Sequence, residues 1–168
     1  MTDLDVKNEL TQKNFKNADI FIISPWTKIS DLKIDLFINS RSMMEMNRRS
    51  IYNYFNIIQN KISKNGYFLC INRYYKDLVG YPVEFHRYPF DMKWKTILSK
   101  KSWMQPTIHF LLVKRLEKNN FEFKFQIKEI KKNYLKLVKK DKFFIRRIMP
   151  LTAYRYYKYI KHFFLKNG

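Results

Sequence analysis

The sequence predicts an α/β fold followed by a basic helical tail, and three observations predict it. Short, continuous apolar runs stand at residues 20–23, 34–38 and 67–71, with the length and composition of buried strands. A helical repeat of Ile51, Tyr54, Phe55, Ile58 and Ile62 lies between the second run and the third. A helix joining two apolar strands is the mark of a parallel β-α-β unit. Finally, residues 119–168 hold 14 Lys+Arg against 3 Asp+Glu on two amphipathic helical patterns.

Taken in order, residues 1–17 are polar and rich in Lys and Asn, the pattern of a frayed helix or a loop. Ile20-Phe21-Ile22-Ile23 is a short strand stopped by Ser24-Pro25, because proline cannot continue a central ladder. Thr27 to Lys33 is a brief connection. Ile34 to Ile38 is the second strand, ending at Asn39-Ser40. Asn47 suits the N-cap of the helix that follows, and Gly66 suits its C-terminal stop. Tyr67 to Ile71 is the third strand, ending at Asn72-Arg73-Tyr74-Tyr75. The crossover between the second and third strands should be right-handed, with both strands buried.

Lys76 to Lys93 is long, irregular and aromatic, and connections of that length inside a domain are commonly functional. Trp94 to Leu98 and Ile108 to Val113 read as strands with no room for a helix between them, so they should pair antiparallel. Phe125 to Lys140 and Leu151 to Lys166 read as basic amphipathic helices split by Pro150.

Composition narrows the function classes. A chain of 168 residues fits one domain, and 46% hydrophobic with 18% aromatic content excludes whole-chain disorder. The single cysteine, Cys70, excludes an internal disulfide framework and a multi-cysteine zinc site. No apolar run approaches the roughly 18 residues of a membrane span. Asp3, Asp5 and Glu9 mark the first residues, with no apolar core between them, so a signal peptide is not expected. A cytoplasmic protein is expected, with the option of peripheral attachment at the inner face of the membrane.

The formal net charge of +20 invites a nucleic-acid reading. Zinc-finger, RRM and KH signatures are all missing, so specific nucleic-acid recognition is not expected. Residues 1–118 carry 20 basic and 11 acidic side chains, so over half the net charge lies in the last 50 residues. Three segments follow from this: a polar N-terminal stretch at 1–17, a domain at 18–118 and a basic tail at 119–168. Such a tail is suited to an anionic membrane surface or another polyanion.

Candidate site residues cluster at strand ends. In open α/β sheets, ligands bind outside the carboxyl ends of the strands. Asn39 offers amide donors and an acceptor there, Ser42 offers a hydroxyl, and Glu45 lies among Met43, Met44 and Met46. Partial burial among those methionines would make Glu45 a stronger base. Equally, the methionines fill a core, Ser42 caps a helix and Glu45 is solvated. Asn72, Arg73 and Tyr74 end the next strand and suit a polar or anionic ligand, or form an ordinary surface loop. His86 could titrate or orient a hydroxyl, or serve the loop's structure. His109, inside a strand, points either into this site or into the core. The chain has no metal-binding spacing and no glycine-rich loop, since Gly66, Gly80 and Gly168 stand alone.

The stretch from Asp35 to Met46, with Tyr54-Phe55, Gly66-Tyr67-Phe68 and Asn72-Arg73-Tyr74, resembles the sugar O-methyltransferase family. Its pattern is a strand ending in N-x-x-S-x-x-E-M, a helix with a Tyr-Phe pair, and a G-x-F-x-x-x-N strand. Tyr88-Pro89-Phe90-Asp91, Trp94, Trp103 and His109 look like that family's later segment, and the likeness covers roughly residues 18–116.

The resemblance implies a class I, Rossmann-like methyltransferase that uses S-adenosylmethionine on a sugar or glycan hydroxyl. Ile20–Ile23 would be strand three, Ile34–Ile38 strand four, Tyr67–Ile71 strand five, and the antiparallel pair the last two. That is a half-sheet of strands three to seven. The family's cofactor loop and its acidic partner belong to strands one and two, so the chain would be a truncated gene product, one fragment of a split gene, or a half that needs a complementary N-terminal half as partner. Glu45 or His86 would be the catalytic base. Asn39, Ser42 and Asn72 would orient substrate or cofactor, and Arg73 and Tyr74 would contact the sugar or a phosphate on it. The other reading is a non-catalytic basic module on a membrane surface or polyanion.

Overall fold

A computed structural model describes residues 9–11, 13, 27–76 and 82–148, the last nine of these by backbone alone. The strand expected at Ile20–Ile23 and the helix expected at Leu151–Lys166 lie outside the described residues.

Chain order gives β1 (Glu9–Leu10), β2 (Lys28–Ile29), β3 (Ile34–Ser40), α1 (Arg48–Lys61), β4 (Ile62–Arg73), β5 (Tyr75–Lys76), β6 (Val83–Glu84), β7 (Trp94–Lys101), β8 (Ile108–Arg115) and α2 (Phe123–Ile148). The central sheet has the order β3-β4-β8-β7. β3 and β4 run parallel, β8 is antiparallel to β4, and β7 is antiparallel to β8. β1 and β2 form a small parallel pair, and β5 and β6 a small antiparallel one. Residues read from sequence as a loop therefore contribute short ladders at 9–10 and 28–29.

The α1 helix starts as its sequence dictates. Asn47 adopts an extended backbone and its side-chain oxygen accepts from Ser50 N at 2.8 Å, an N-cap worth about 1 kcal/mol. Its apolar stripe buries Ile51, Phe55 and Ile58, each contributing about 1.5–3 kcal/mol. Packing therefore dominates the cap.

The helix ends earlier than the glycine suggested. Lys61 is its last residue, and Ile62 already opens β4 in extended backbone. Gly66 lies inside β4, where the register slips between Ile34 and Leu36 on the neighbouring strand. A Cβ at Gly66 would stand 2.9 Å from Ile62 Cγ2 and 3.0 Å from two carbonyl oxygens, those of Ile34 and Ser63. The glycine allows this close approach of backbones. Asn65, just before it in the strand, takes a left-handed φ of 67°.

One face of the sheet holds the core. Phe68, Cys70, Leu111, Val113 and Trp94 meet α1 there, together with Phe123 and Ile130 of α2. The rings of Phe55 and Phe68 meet edge to face at 5.8 Å, a favourable aromatic geometry. Arg115 ties the start of β7 to the end of β8: its guanidinium donates to both Asp91 oxygens, at 2.6 and 2.8 Å, and lies 4.7 Å from the Trp94 ring.

α2 begins at Phe123, two residues before the expected start, and runs unbroken to Ile148. Its apolar stripe packs on the domain through Phe123 and Ile130, supported by Ile127, Tyr134 and Leu137. The first half of the basic segment therefore belongs to the same core as the sheet.

β3 is less buried than its apolar sequence predicts. Among the described residues it is an edge strand, and Leu36 and Ile38 are 52% and 57% exposed. They sit on the face away from α1, in register with Tyr67 and Leu69 of β4.

Candidate functional site

The carboxyl ends of β3 and β4 and the amino end of β8 form one rim. Arg41 N donates to Ile71 O at 2.7 Å, and Tyr74 N donates to Thr107 O at 2.9 Å. Three of the sequence-predicted residues meet here. Asn72 Nδ2 donates to Asn39 Oδ1 at 2.9 Å, bridging the ends of two parallel strands. Asn39 Nδ2 donates to Ser42 Oγ, and Asn39 Oδ1 also accepts from Met43 N at 3.4 Å.

The arrangement follows from local sequence. Arg41 takes a left-handed φ of 60°, which turns the chain sharply at the strand end. A short 3-10 turn, Met43–Glu45, then buries Met43 and Met44. Asn39 is almost wholly buried and Asn72 fully so. Asn72 Nδ2 also lies 3.2 Å from Cys70 Sγ. Burial pushes the Cys70 thiol up to about 12, so it remains a neutral thiol at neutral pH. Asn72 Oδ1 is buried with no hydrogen-bond partner, as is the Tyr88 hydroxyl.

Glu45 stands elsewhere than the methionine-rich sequence suggested. Its side chain is 54% exposed and forms an ion pair with Lys76 on β5. Met43 and Met44 enter the core while the carboxylate faces out, because a buried carboxylate carries a desolvation cost that this turn avoids. Nothing in the spacing of Glu45 and Lys76 announces their contact across 31 positions.

His86 lies in a 3-10 turn, Phe85–Arg87, that follows β6. Its ring stacks on Tyr134 at 5.1 Å, its Nε2 is 3.9 Å from Glu84 Oε2, and its Nδ1 has no hydrogen-bond partner. Burial lowers its pKa, opposed by Glu84 and aided by Lys131 and Arg87, so the ring is neutral at neutral pH. Glu84 also pairs with Arg87. No hydrogen bond or ion pair joins Glu45 to His86 among the described residues.

Arg73 is half-buried at the end of β4, with Nε unpartnered. Tyr74 stands apart from the cluster: it is 1% exposed, and its hydroxyl lies 2.7 Å from His109 Nδ1. Burial raises its pKa to about 12, with a hydrogen bond to Asn133 opposing.

His109 points into the core. Its Nε2 lies 2.8 Å from Ser99 Oγ, which accepts from Gln126 Nε2 at 2.5 Å. Burial lowers its pKa to about 4, and either neutral tautomer satisfies both contacts. This chain of polar groups links the residue just after β4 to β8, β7 and α2. Sequence reasoning passed over Ser99 and Gln126, since nothing in their spacing marks them.

An open cavity of about 120 Å³ lies at the start of α1, lined by Arg48, Tyr52, Val83, Glu84, Arg87 and Tyr88 among others. Among the described residues, no group of three His, Cys, Asp or Glu side chains could hold a metal ion. The outer side of α2 presents Lys124, Lys128, Lys131, Lys132, Lys136 and Lys139, beside the exposed rings of Phe121 and Phe125. Comparisons with family models, curated proteins and solved structures find no match to this chain.

Proposed function

We propose that this chain supplies the sugar-binding part of an O-methyltransferase acting on a sugar hydroxyl. The observation that carries the reading is the Asn72–Asn39 hydrogen bond of 2.9 Å, bridging the carboxyl ends of two parallel strands. That is where open α/β sheets bind ligands. The order β3-β4-β8-β7, a parallel pair followed by an antiparallel insertion, supports strands four to seven of a Rossmann-like methyltransferase sheet. The N-x-x-S-x-x-E-M sequence at the rim supports it further.

The methyl donor, S-adenosylmethionine, does not fit the residues present. The three glycines are isolated in sequence, and Gly66 lies at the far end of β4 from the rim. The rim residues are amides, a hydroxyl and cations, which suit sugar hydroxyls and attached phosphate rather than a cofactor cradle. In this reading the cofactor is held by another part of the enzyme, in the same polypeptide or in a complementary chain.

Within the acceptor site, Asn39 and Ser42 orient the sugar. Asn72, fully buried, is a positioning residue that fixes the Asn39 amide. Arg73 meets an anionic substituent. Glu45 is the base within reach of solvent and substrate, while His86 is enclosed by Tyr134 and Glu84.

The test is calorimetry with S-adenosylmethionine on the full chain alone and mixed with the product of the gene immediately upstream. Heat is expected only in the mixture. Absence of binding in both, with no methylation of a panel of sugars, would refute the proposal. In an active mixture, Glu45→Gln should lower kcat by about 10²–10⁴-fold, and unchanged turnover would remove Glu45 from the role.

A further inference from the structure

The hairpin joining β7 to β8 carries a Trp103-Met104 pair at its tip, and neither side chain has a role in the proposed acceptor site. These are the two most exposed large apolar side chains among the described residues, at 88% and 72%. The turn is held in shape by its backbone. Ser102 N donates to Ile108 O at 2.9 Å, Ile108 N donates to Gln105 O at 2.8 Å, and Gln105 N donates to Ser102 Oγ at 3.1 Å. Tyr74 N, at the end of β4, donates to Thr107 O. The tip is thereby built into the same rim as Asn39 and Asn72.

The charge beside the tip is local: Lys95, Lys114 and Arg115 stand at the opposite end of the hairpin, and Arg115 is held by Asp91. Lys100 and Lys101 flank the tip and are exposed, and exposed Arg41 lies along the rim. An indole on a fixed turn, with lysines beside it, has the composition of an interfacial anchor: the ring enters the headgroup boundary while the cations meet anionic lipid. A soluble polyanion would use the lysines and gain little from the exposed Met104. No helix among the described residues is long and apolar enough to cross a membrane.

We infer that the Trp103-Met104 turn docks on an anionic phospholipid bilayer and turns the cationic rim of the sheet toward the headgroups. Vesicle binding by this turn is independent of the proposed reaction.

The test uses the full chain in a Trp26→Phe background. Trp94 is already fully buried, so a change in emission reports Trp103. Vesicles of phosphatidylcholine mixed with phosphatidylglycerol should shift the emission to the blue and sediment the protein, whereas pure phosphatidylcholine should do neither. Trp103→Ala with Met104→Ala should weaken vesicle binding about tenfold or more, from the apolar burial lost. Heparin affinity and the thermal melt should be unchanged in that variant, since both side chains are solvent-exposed. Equal vesicle binding by parent and double variant would overturn the proposal. So would heparin binding without vesicle binding, which would mark a polyanion site. A blue shift that grows with protein concentration in the absence of vesicles would also overturn it, showing that a second copy occupies the tip.

Discussion

Acidification should destabilise this protein through His109, and the size of the effect follows from its surroundings. The ring is 2% exposed, between the Tyr74 hydroxyl at 2.7 Å and the Ser99 hydroxyl at 2.8 Å. Both neighbours are neutral, so neither carries a charge to stabilise an imidazolium. Burial therefore lowers the pKa from 6.5 to about 4. The unfolded chain binds a proton at this site below about pH 6.5 while the folded chain refuses it until about pH 4. Stability is complete above the unfolded value and falls as pH drops through that window, by about 3 kcal/mol in all. That is a large share of the 5–15 kcal/mol typical of a domain.

Urea denaturation at several pH values across the window, on the parent and on His109→Gln, measures the effect. Glutamine keeps a donor and an acceptor but does not titrate. The variant should lose about 1–2 kcal/mol at neutral pH from poorer hydrogen bonds, and it should show a flatter decline on acidification. His86, whose pKa is also lowered by burial, contributes to the slope in both proteins and cancels in the comparison. Identical pH slopes would refute the account of His109 as a buried neutral ring.

Three further outcomes are expected. Gly66→Ala should cost about 1–3 kcal/mol in chemical denaturation, because two of the three close contacts of a new Cβ are backbone carbonyls that cannot swing away. Arg115→Lys should cost about 1–2 kcal/mol despite its retained charge, because a lysine cannot make the paired bonds to Asp91 or stack on Trp94; an unchanged melting temperature would contradict this. Ile38→Lys, on a strand that is an edge among the described residues, should reduce concentration-dependent association in sedimentation velocity while shifting stability by no more than about 0.5 kcal/mol.

The sequence alone determined the features that depend on local periodicity. The 3–4 spacing from Ile51 to Ile58 made one apolar stripe, and that stripe is the face α1 buries. Asn47 was readable as a cap because capping needs only a short polar side chain before the first turn. The parallel pairing of β3 and β4 followed from the helix between them, and the antiparallel pairing of β7 and β8 from the lack of one. At the site, Asn39, Ser42 and Asn72 were legible as polar groups at strand ends.

Tertiary structure alone decided which of those groups face a ligand and which face the core. Residues 31 or 35 positions apart, such as Glu45 with Lys76 and Tyr74 with His109, meet only after the sheet forms. Gly66 reads as a helix stop in one dimension, yet its reason is a neighbouring carbonyl brought in by β3. The apolar run of β3 promised burial on both faces, but burial is a property of neighbours, and among the described residues Leu36 and Ile38 have too few. Local sequence fixes a side chain's direction along its own element, whereas its charge state and exposure are set by whatever the rest of the chain packs against it.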